Sequence, residues 1–212
     1  MQKGRLFVIS GPSGVGKGTI CKKLIENRQD IELSISATTR KPRKNEVDGK
    51  HYYFITKEEF IREIDNGGFI EYAEVFGNFY GTPKKNVYER LEKGINVILE
   101  IDVQGALQVK EVLDEAILIF IMPPSKAELR SRLSLRATDE QDVIERRLAE
   151  ACREIELAPL YDYVFVNDDL EKALQDIDEC ISSFGADDEF KNKKDSIAVL
   201  EMIKNFEEGI RL

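Results

Sequence analysis

Histidine is nearly missing from this chain: His51 is the only one in 212 residues. That excludes a histidine-rich zinc site and argues against a Ser-His-Asp triad. Cysteine is scarce as well. Cys21, Cys152 and Cys180 are odd in number, far apart and free of CxxC spacing. They read as reduced thiols on helices rather than a disulfide framework or a metal site. Long apolar runs are absent too; stretches such as Ile117–Met122 fall far short of the ~20 residues that span a bilayer. No membrane partner is expected. Met1-Gln-Lys-Gly4 leads straight into an apolar strand with no secretory-leader pattern, so the expected compartment is the cytoplasm. A basic excess is also lacking, with 31 Lys and Arg against 40 Asp and Glu and a net charge of −9. Nucleic acid, which needs a basic face, is therefore not an expected partner. Arg40-Lys-Pro-Arg-Lys44 is the local exception. It is either a solvated basic loop or a pair of arginines spaced to fork a phosphate.

Against these absences stands one highly informative stretch. Leu6-Phe-Val-Ile9 is followed by Gly11-Pro12-Ser13-Gly14-Val15-Gly16-Lys17-Gly18-Thr19 and then by an amphipathic run with Ile20, Leu24 and Ile25 on one side. A strand, a glycine-rich turn and a helix in that order make a phosphate-binding loop. Gly11, Gly14 and Gly16 allow the backbone to curl with its N–H groups inward. The helix N-terminus adds positive potential, and Lys17 supplies a mobile charge for the outer phosphates. The usual hydroxyl residue after the lysine is replaced by Gly18, so no direct protein ligand for a metal is assigned; Thr19 follows one position later. The chain is expected to bind a nucleoside triphosphate.

Length and pattern predict one α/β core with a parallel sheet covered on both faces. The periodicity places strands near 5–9, 95–101, 116–122 and 162–166, and helices near 17–27, 83–93, 103–113, 125–135, 140–157 and 168–183. Core segments 1–33, 83–124 and 158–185 are interrupted twice. Residues 34–82, rich in β-formers and turns with a short helix at 57–66, form a small mixed insert over the carboxyl edge of the sheet, where open α/β folds bind ligands. Residues 125–157 form an arginine-rich helical pair in which Arg136 and Arg147 are placed to face one cleft. A polar linker begins near 186, and Ile197, Leu200, Ile203 and Phe206 mark a final helix packed on the core. That tail caps the core or builds a subunit contact; monomer and homo-oligomer both stay open.

The motifs together resemble the guanylate kinase family over roughly residues 4–184. The likeness rests on Gly11–Thr19; on Ser34-Ile-Ser-Ala-Thr-Thr-Arg40-Lys-Pro-Arg43 with Gly49-Lys-His-Tyr52; and on Phe69-Ile-Glu71-Tyr with Gly77-Asn-Phe-Tyr80-Gly-Thr82. Ile98-Leu-Glu-Ile-Asp102-Val-Gln-Gly105 and Val166-Asn-Asp-Asp-Leu170 complete it. The resemblance implies a P-loop NTPase core with a nucleotide-binding insert at 34–82 and a helical lid at 125–157. It implies that Arg40, Arg43, Tyr52 and Tyr80 hold the acceptor phosphate, and that Ser36, Glu71 and Thr82 surround guanine. Asp102 falls between the acceptor and the water shell of Mg²⁺ carried with ATP. Arg136 and Arg147 clamp the moving phosphoryl group, and Asn167 and Asp168 lie beside adenine. Ala137 stands where many members have glycine; at φ > 0 it would cost ~1 kcal/mol.

The residue chemistry points the same way. Guanine presents two donors on one edge, N1–H and the 2-amino group, which one fixed carboxylate accepts; adenine would oppose it with a lone pair. In isolation Glu71 and the two tyrosines would read as ordinary strand and core residues. The implied reaction is ATP + GMP ⇌ ADP + GDP by in-line transfer, with dGMP as a further acceptor. A phosphate nucleophile is already ionised near its second pKa of about 6, so no protein base is required. The alternatives are a guanylate-kinase-like module without catalysis, and a monophosphate kinase with another acceptor base.

Overall fold

Alternating side chains in the first strand set up both faces of the molecule. In β1 (Leu6–Ser10) every residue is buried, with Leu6 and Val8 in one apolar cluster and Phe7 and Ile9 in another. The computed structural model describes residues 3–75, 77–135, 141–184 and 196–212. Five strands make the main sheet: β1, β2 (Ile31–Leu33), β7 (Asn96–Glu100), β8 (Ile117–Met122) and β9 (Tyr163–Val166). Their order is β2-β7-β1-β8-β9, all parallel. Val8 sits in register with Leu99 on one side and Leu118 on the other. Strands buried on both faces read as continuous apolar runs, as β8 does.

Helices α1 (Lys17–Asn27) and α7 (Leu170–Ser183) cover the face of Phe7 and Ile9. The other face carries α3 (Lys84–Glu92), α4 (Val103–Val112), α5 (Lys126–Leu135), α6 (Gln141–Ile155) and α8 (Ser196–Glu207). Each fully buried Ile, Leu or Phe here contributes roughly 1.5–3 kcal/mol. The three cysteines are free and lie on α1, α6 and α7.

Four further strands form a separate mixed sheet in the order β4-β3-β6-β5: β3 (Ala37–Thr38), β4 (Tyr53–Phe54), β5 (Phe69–Val75) and β6 (Asn78–Pro83). β5 and β6 are antiparallel, β3 and β4 parallel. Helix α2 (Lys57–Asp65) starts in a full capping box between Thr56 and Glu59. It buries Phe60 in a stack with Phe69, ring centroids 4.3 Å apart.

Two expectations need correction. The main sheet has a fifth strand, β2, that the apolar pattern does not announce: it is three residues long and only Ile31 in it is buried. In α8, Ile197 and Leu200 do not face the core; they are 77% and 55% exposed. The packed residues are Val199, Ile203 and Phe206, because a helix repeats every 3.6 residues and a spacing of strict threes drifts off the buried face. Helix α8 itself packs on the core, joining the cluster that holds Leu148 and Ala158. Among the described residues no helix is long and apolar enough to cross a membrane.

Candidate active site

The turn after β1 wraps Lys17. Gly11, Gly14 and Gly16 adopt positive φ values of 141°, 88° and 102°. Gly16 is the N-cap of α1 in left-handed geometry, and a Cβ there would lie 2.7 Å from the Asn167 amide nitrogen. Glycine is therefore required for both the turn and the close approach. The Asn167 side chain is buried and donates to the Val15 carbonyl at 2.7 Å, which ties β9 to the loop. Lys17 Nζ donates to the carbonyls of Gly11 and, at 3.3 Å, Pro12. Burial lowers its pKa, while Glu154, Glu100 and Asp102 pull the other way. Gly18 backs onto Glu100: a Cβ there would sit 3.2 Å from Oε1. A side chain at position 18 would therefore meet the Glu100 carboxylate, which would have to give by a few tenths of an ångström.

On the other side of the cleft, Arg40 lies over the rings of Tyr52 and Phe54, 5.6 and 5.9 Å from their centroids. Tyr52 meets Tyr80 edge to face at 6.1 Å. Glu46 accepts from both terminal nitrogens of Arg40, at 2.8 and 2.9 Å, and from the Arg43 backbone N–H at 2.7 Å. The pair raises the Arg40 pKa and holds the Glu46 carboxyl down at about 2. The Arg43 residue itself is exposed. Burial, then the neighbouring Tyr80, pushes the Tyr52 hydroxyl up.

Ser36, Tyr52, Glu71, Tyr80, Glu100 and Asp102 line one cavity of about 250 Å³. Glu71 is 7% exposed and accepts from the Thr82 hydroxyl at 2.6 Å. Burial raises its pKa to about 6; Thr82 opposes that rise and Asp102 adds to it. Gly105, in the first turn of α4, makes room: a Cβ would meet Glu71 Oε2 at 3.1 Å. Asp102 caps α4 by accepting from the Gly105 N–H at 2.8 Å. A buried carboxylate with one hydroxyl donor keeps unmet acceptor capacity facing the cavity.

A second cavity of about 340 Å³ is lined by Gly14, Val15, Gly16, Thr19, Arg132, Asn167, Asp168 and Leu170. Arg132 donates to the Asn167 carbonyl at 3.1 Å and to Glu128 at 2.9 Å. From α6, Arg147 donates to the Ser13 hydroxyl at 2.9 Å. Arg136 and Ala137 lie outside the described residues.

The structure thus brings Lys17 and Arg147 to the loop, groups Arg40, Tyr52 and Tyr80, and gathers Ser36, Glu71 and Asp102 around one cavity with Thr82 behind Glu71. Pro12 is buried in the turn, while Ser13 and Thr19 are exposed at its surface. Sequence reasoning missed Glu46, Glu100 and Glu154, and noted Arg132 only as one of several arginines in 125–157. Glu46 lies three positions after Arg43 and so carried a short-range signal; the others are assembled only by the fold. Glu154, half-buried on α6, has its pKa raised to about 7, chiefly by burial against the pull of Lys17.

Residues 3–184 match the family model described as guanylate kinase. The guanylate kinase of Caldanaerobacter subterraneus subsp. tengcongensis is 52% identical over 176 residues, 83% of this chain and 85% of that protein. That of Clostridioides difficile is 51% identical over 183 residues, 86% and 89% of the two chains. The crystal structure of guanylate kinase from Anaplasma phagocytophilum superimposes with a TM-score of 0.70 at 40% identity, covering 91% of this chain and 90% of the other. With its glycine loop around Lys17 and likeness of this breadth, the chain belongs to the guanylate kinase family.

Proposed function

We propose that this protein is an ATP-dependent guanylate kinase in which Lys17 and the 11–19 loop hold the donor phosphates and the cavity at Glu71 takes guanine. The observation that carries the reading is Glu71 itself, buried, hydrogen-bonded by Thr82, and facing a cavity beside Asp102. An ionised carboxylate there accepts N1–H and the 2-amino group of guanine, with Ser36 on the same wall. Adenine offers a lone pair instead and leaves the carboxylate unpaired, which supports discrimination of ~10⁴ or more. Neither the geometry nor the relatives favour a module without catalysis, and the cavity chemistry does not favour another acceptor base.

Arg40, Arg43, Tyr52 and Tyr80 hold the acceptor phosphate in this reading. Arg40 is the pre-set member, since Glu46 fixes its guanidinium end-on and Tyr52 and Phe54 lie beneath it. The nucleophile is a phosphate oxygen that is largely ionised at neutral pH. The residues therefore position two polyanions and offset their charge rather than move a proton. Lys17 and Arg147 face the transferring group, with Arg136 as the further lid arginine. Residues 34–82 act as the acceptor-binding insert, 125–157 as a lid that keeps water out, and the remainder of 1–185 as the core. Residues 186–212 follow the kinase domain as a polar linker and a C-terminal helix. Asn167 and Asp168 border the donor base, which occupies the second cavity.

Mg²⁺ with ATP fits this site as an ion carried by the phosphates. Among the described residues no group of three acidic, cysteine or histidine side chains is placed to hold a metal. Glu100, which backs onto Gly18, and Asp102, which lines the same cavity, are placed to hold its water shell. When bound, it neutralises charge on the outer phosphates. Phosphorus NMR on ATP, GMP and Mg²⁺ tests the assignment. ADP and GDP should accumulate together in equal amounts, and ADP without GDP would mean hydrolysis and overturn it.

A further inference from the structure

The match to the family ends at residue 184, yet the chain beyond it returns to the donor side of the cleft. Helix α8 is anchored by Val199, Ile203 and Phe206. Past Gly209, which takes a positive φ of 77° after the helix, the Leu212 N–H donates to the Pro124 carbonyl at 2.8 Å. Pro124 lies in the turn between β8 and α5. Arg211 is thereby brought against Asp168, 43 positions away in sequence, with Nη2 on one carboxylate oxygen and Nε 3.4 Å from the other. Asp168 is on the wall of the donor cavity, and its neighbour Asn167 holds the phosphate loop. The 167–168 turn is therefore gripped from two directions, by Arg132 of α5 through the Asn167 carbonyl and by Arg211 of the tail through Asp168.

We propose that the C-terminal segment 196–212 is part of the donor-nucleotide site, with Arg211 as a positioning residue that fixes the Asp168 carboxylate at the rim of the base cavity. This rests on the reading of that cavity as the adenine site. A carboxylate held in one orientation accepts from the 6-amino group of adenine and opposes the 6-oxo group of hypoxanthine, so the tail contributes to the choice of donor base. The two-point geometry matches a guanidinium and not an ammonium. Because the pair is open to solvent, its effect should be moderate and should weaken with added salt.

Steady-state kinetics with ATP or ITP as donor, on wild type, Arg211→Ala, Arg211→Lys, Asp168→Asn and the double variant, test this. Arg211→Ala should raise KM for ATP by roughly two- to fivefold, narrow the preference for ATP over ITP, and leave KM for GMP and kcat nearly unchanged. Arg211→Lys should recover part of the loss, and Arg211→Ala should add nothing once Asp168 is Asn. Unchanged KM for ATP in Arg211→Ala, with a raised value in Asp168→Asn, would overturn the role of the tail and leave the donor site intact. So would a uniform loss that follows thermal stability and affects both substrates equally. No effect of Asp168→Asn on ATP would instead remove the donor-site reading on which the proposal stands.

Discussion

The Thr82 hydroxyl donates across 2.6 Å to the Glu71 carboxylate, which lines the cavity beside Asp102. This bond fixes one oxygen of a buried acid and opposes the rise of its pKa, which still reaches about 6. Thr82→Val keeps the shape and removes the donor. The variant should raise the Glu71 pKa further and weaken GMP binding by ~1–3 kcal/mol, while the affinity for ATP stays put. Calorimetric titration with each nucleotide separately checks both halves.

Glu71 also costs the empty protein stability. Its folded pKa of about 6 stands above the 4.5 of an unperturbed glutamate. The folded state thus binds this proton more tightly than the unfolded chain, and the stabilisation is present below 4.5 and lost as pH rises through 6. Above that range an ionised Glu71 costs ~2 kcal/mol. Glu71→Gln should therefore unfold at a higher temperature than wild type at pH 8 and match it near pH 4.5, yet phosphorylate GMP poorly. A loss of stability at pH 8 would show that the carboxylate is better satisfied than its burial implies.

The same titration should govern the acceptor. Guanine binds the ionised form, so affinity should fall about tenfold per unit as pH drops below the Glu71 pKa of about 6. GMP gains its own phosphate proton near that pH. Guanosine, which has no phosphate, isolates the contribution of the carboxylate, and its affinity should become independent of pH in Glu71→Gln.

Glu46 holds Arg40 through both terminal nitrogens. Glu46→Gln keeps the size but loses the charge that anchors the guanidinium. KM for GMP should rise severalfold with kcat and KM for ATP largely retained. A fall in kcat alone would place Glu46 in the chemical step and not in positioning Arg40.

Lys17→Met should fold normally, since the side chain packs against loop carbonyls and not in an apolar cluster. It should lose ~3 kcal/mol or more of transition-state stabilisation. Stopped-assay turnover with the melting curve beside it separates lost catalysis from lost folding.

What was legible in the sequence follows from how local each signal is. The phosphate loop is contiguous and its glycines carry a steric requirement, and β1, β7, β8 and β9 each contain at least three consecutive apolar residues. β2 was not legible because three residues with a single buried side chain have no period. The α8 face was misread because its apolar residues outnumber the positions the core can take, leaving Ile197 and Leu200 outside. The approach of Glu100 to Gly18 spans 82 positions and has no local signal. The pairing of Arg211 with Asp168 spans 43 positions, and no spacing rule reaches that far.

The most direct measurement is ADP production with ATP and a panel of GMP, AMP, CMP and UMP, run on wild type and Glu71→Gln. Wild type should turn over GMP and give near-background rates with the other three. Glu71→Gln should lose roughly 2–4 kcal/mol in kcat/KM for GMP and narrow the gap to AMP. Comparable rates with AMP in the wild type, or an unchanged guanine preference in Glu71→Gln, would contradict the claim that this buried carboxylate reads the base.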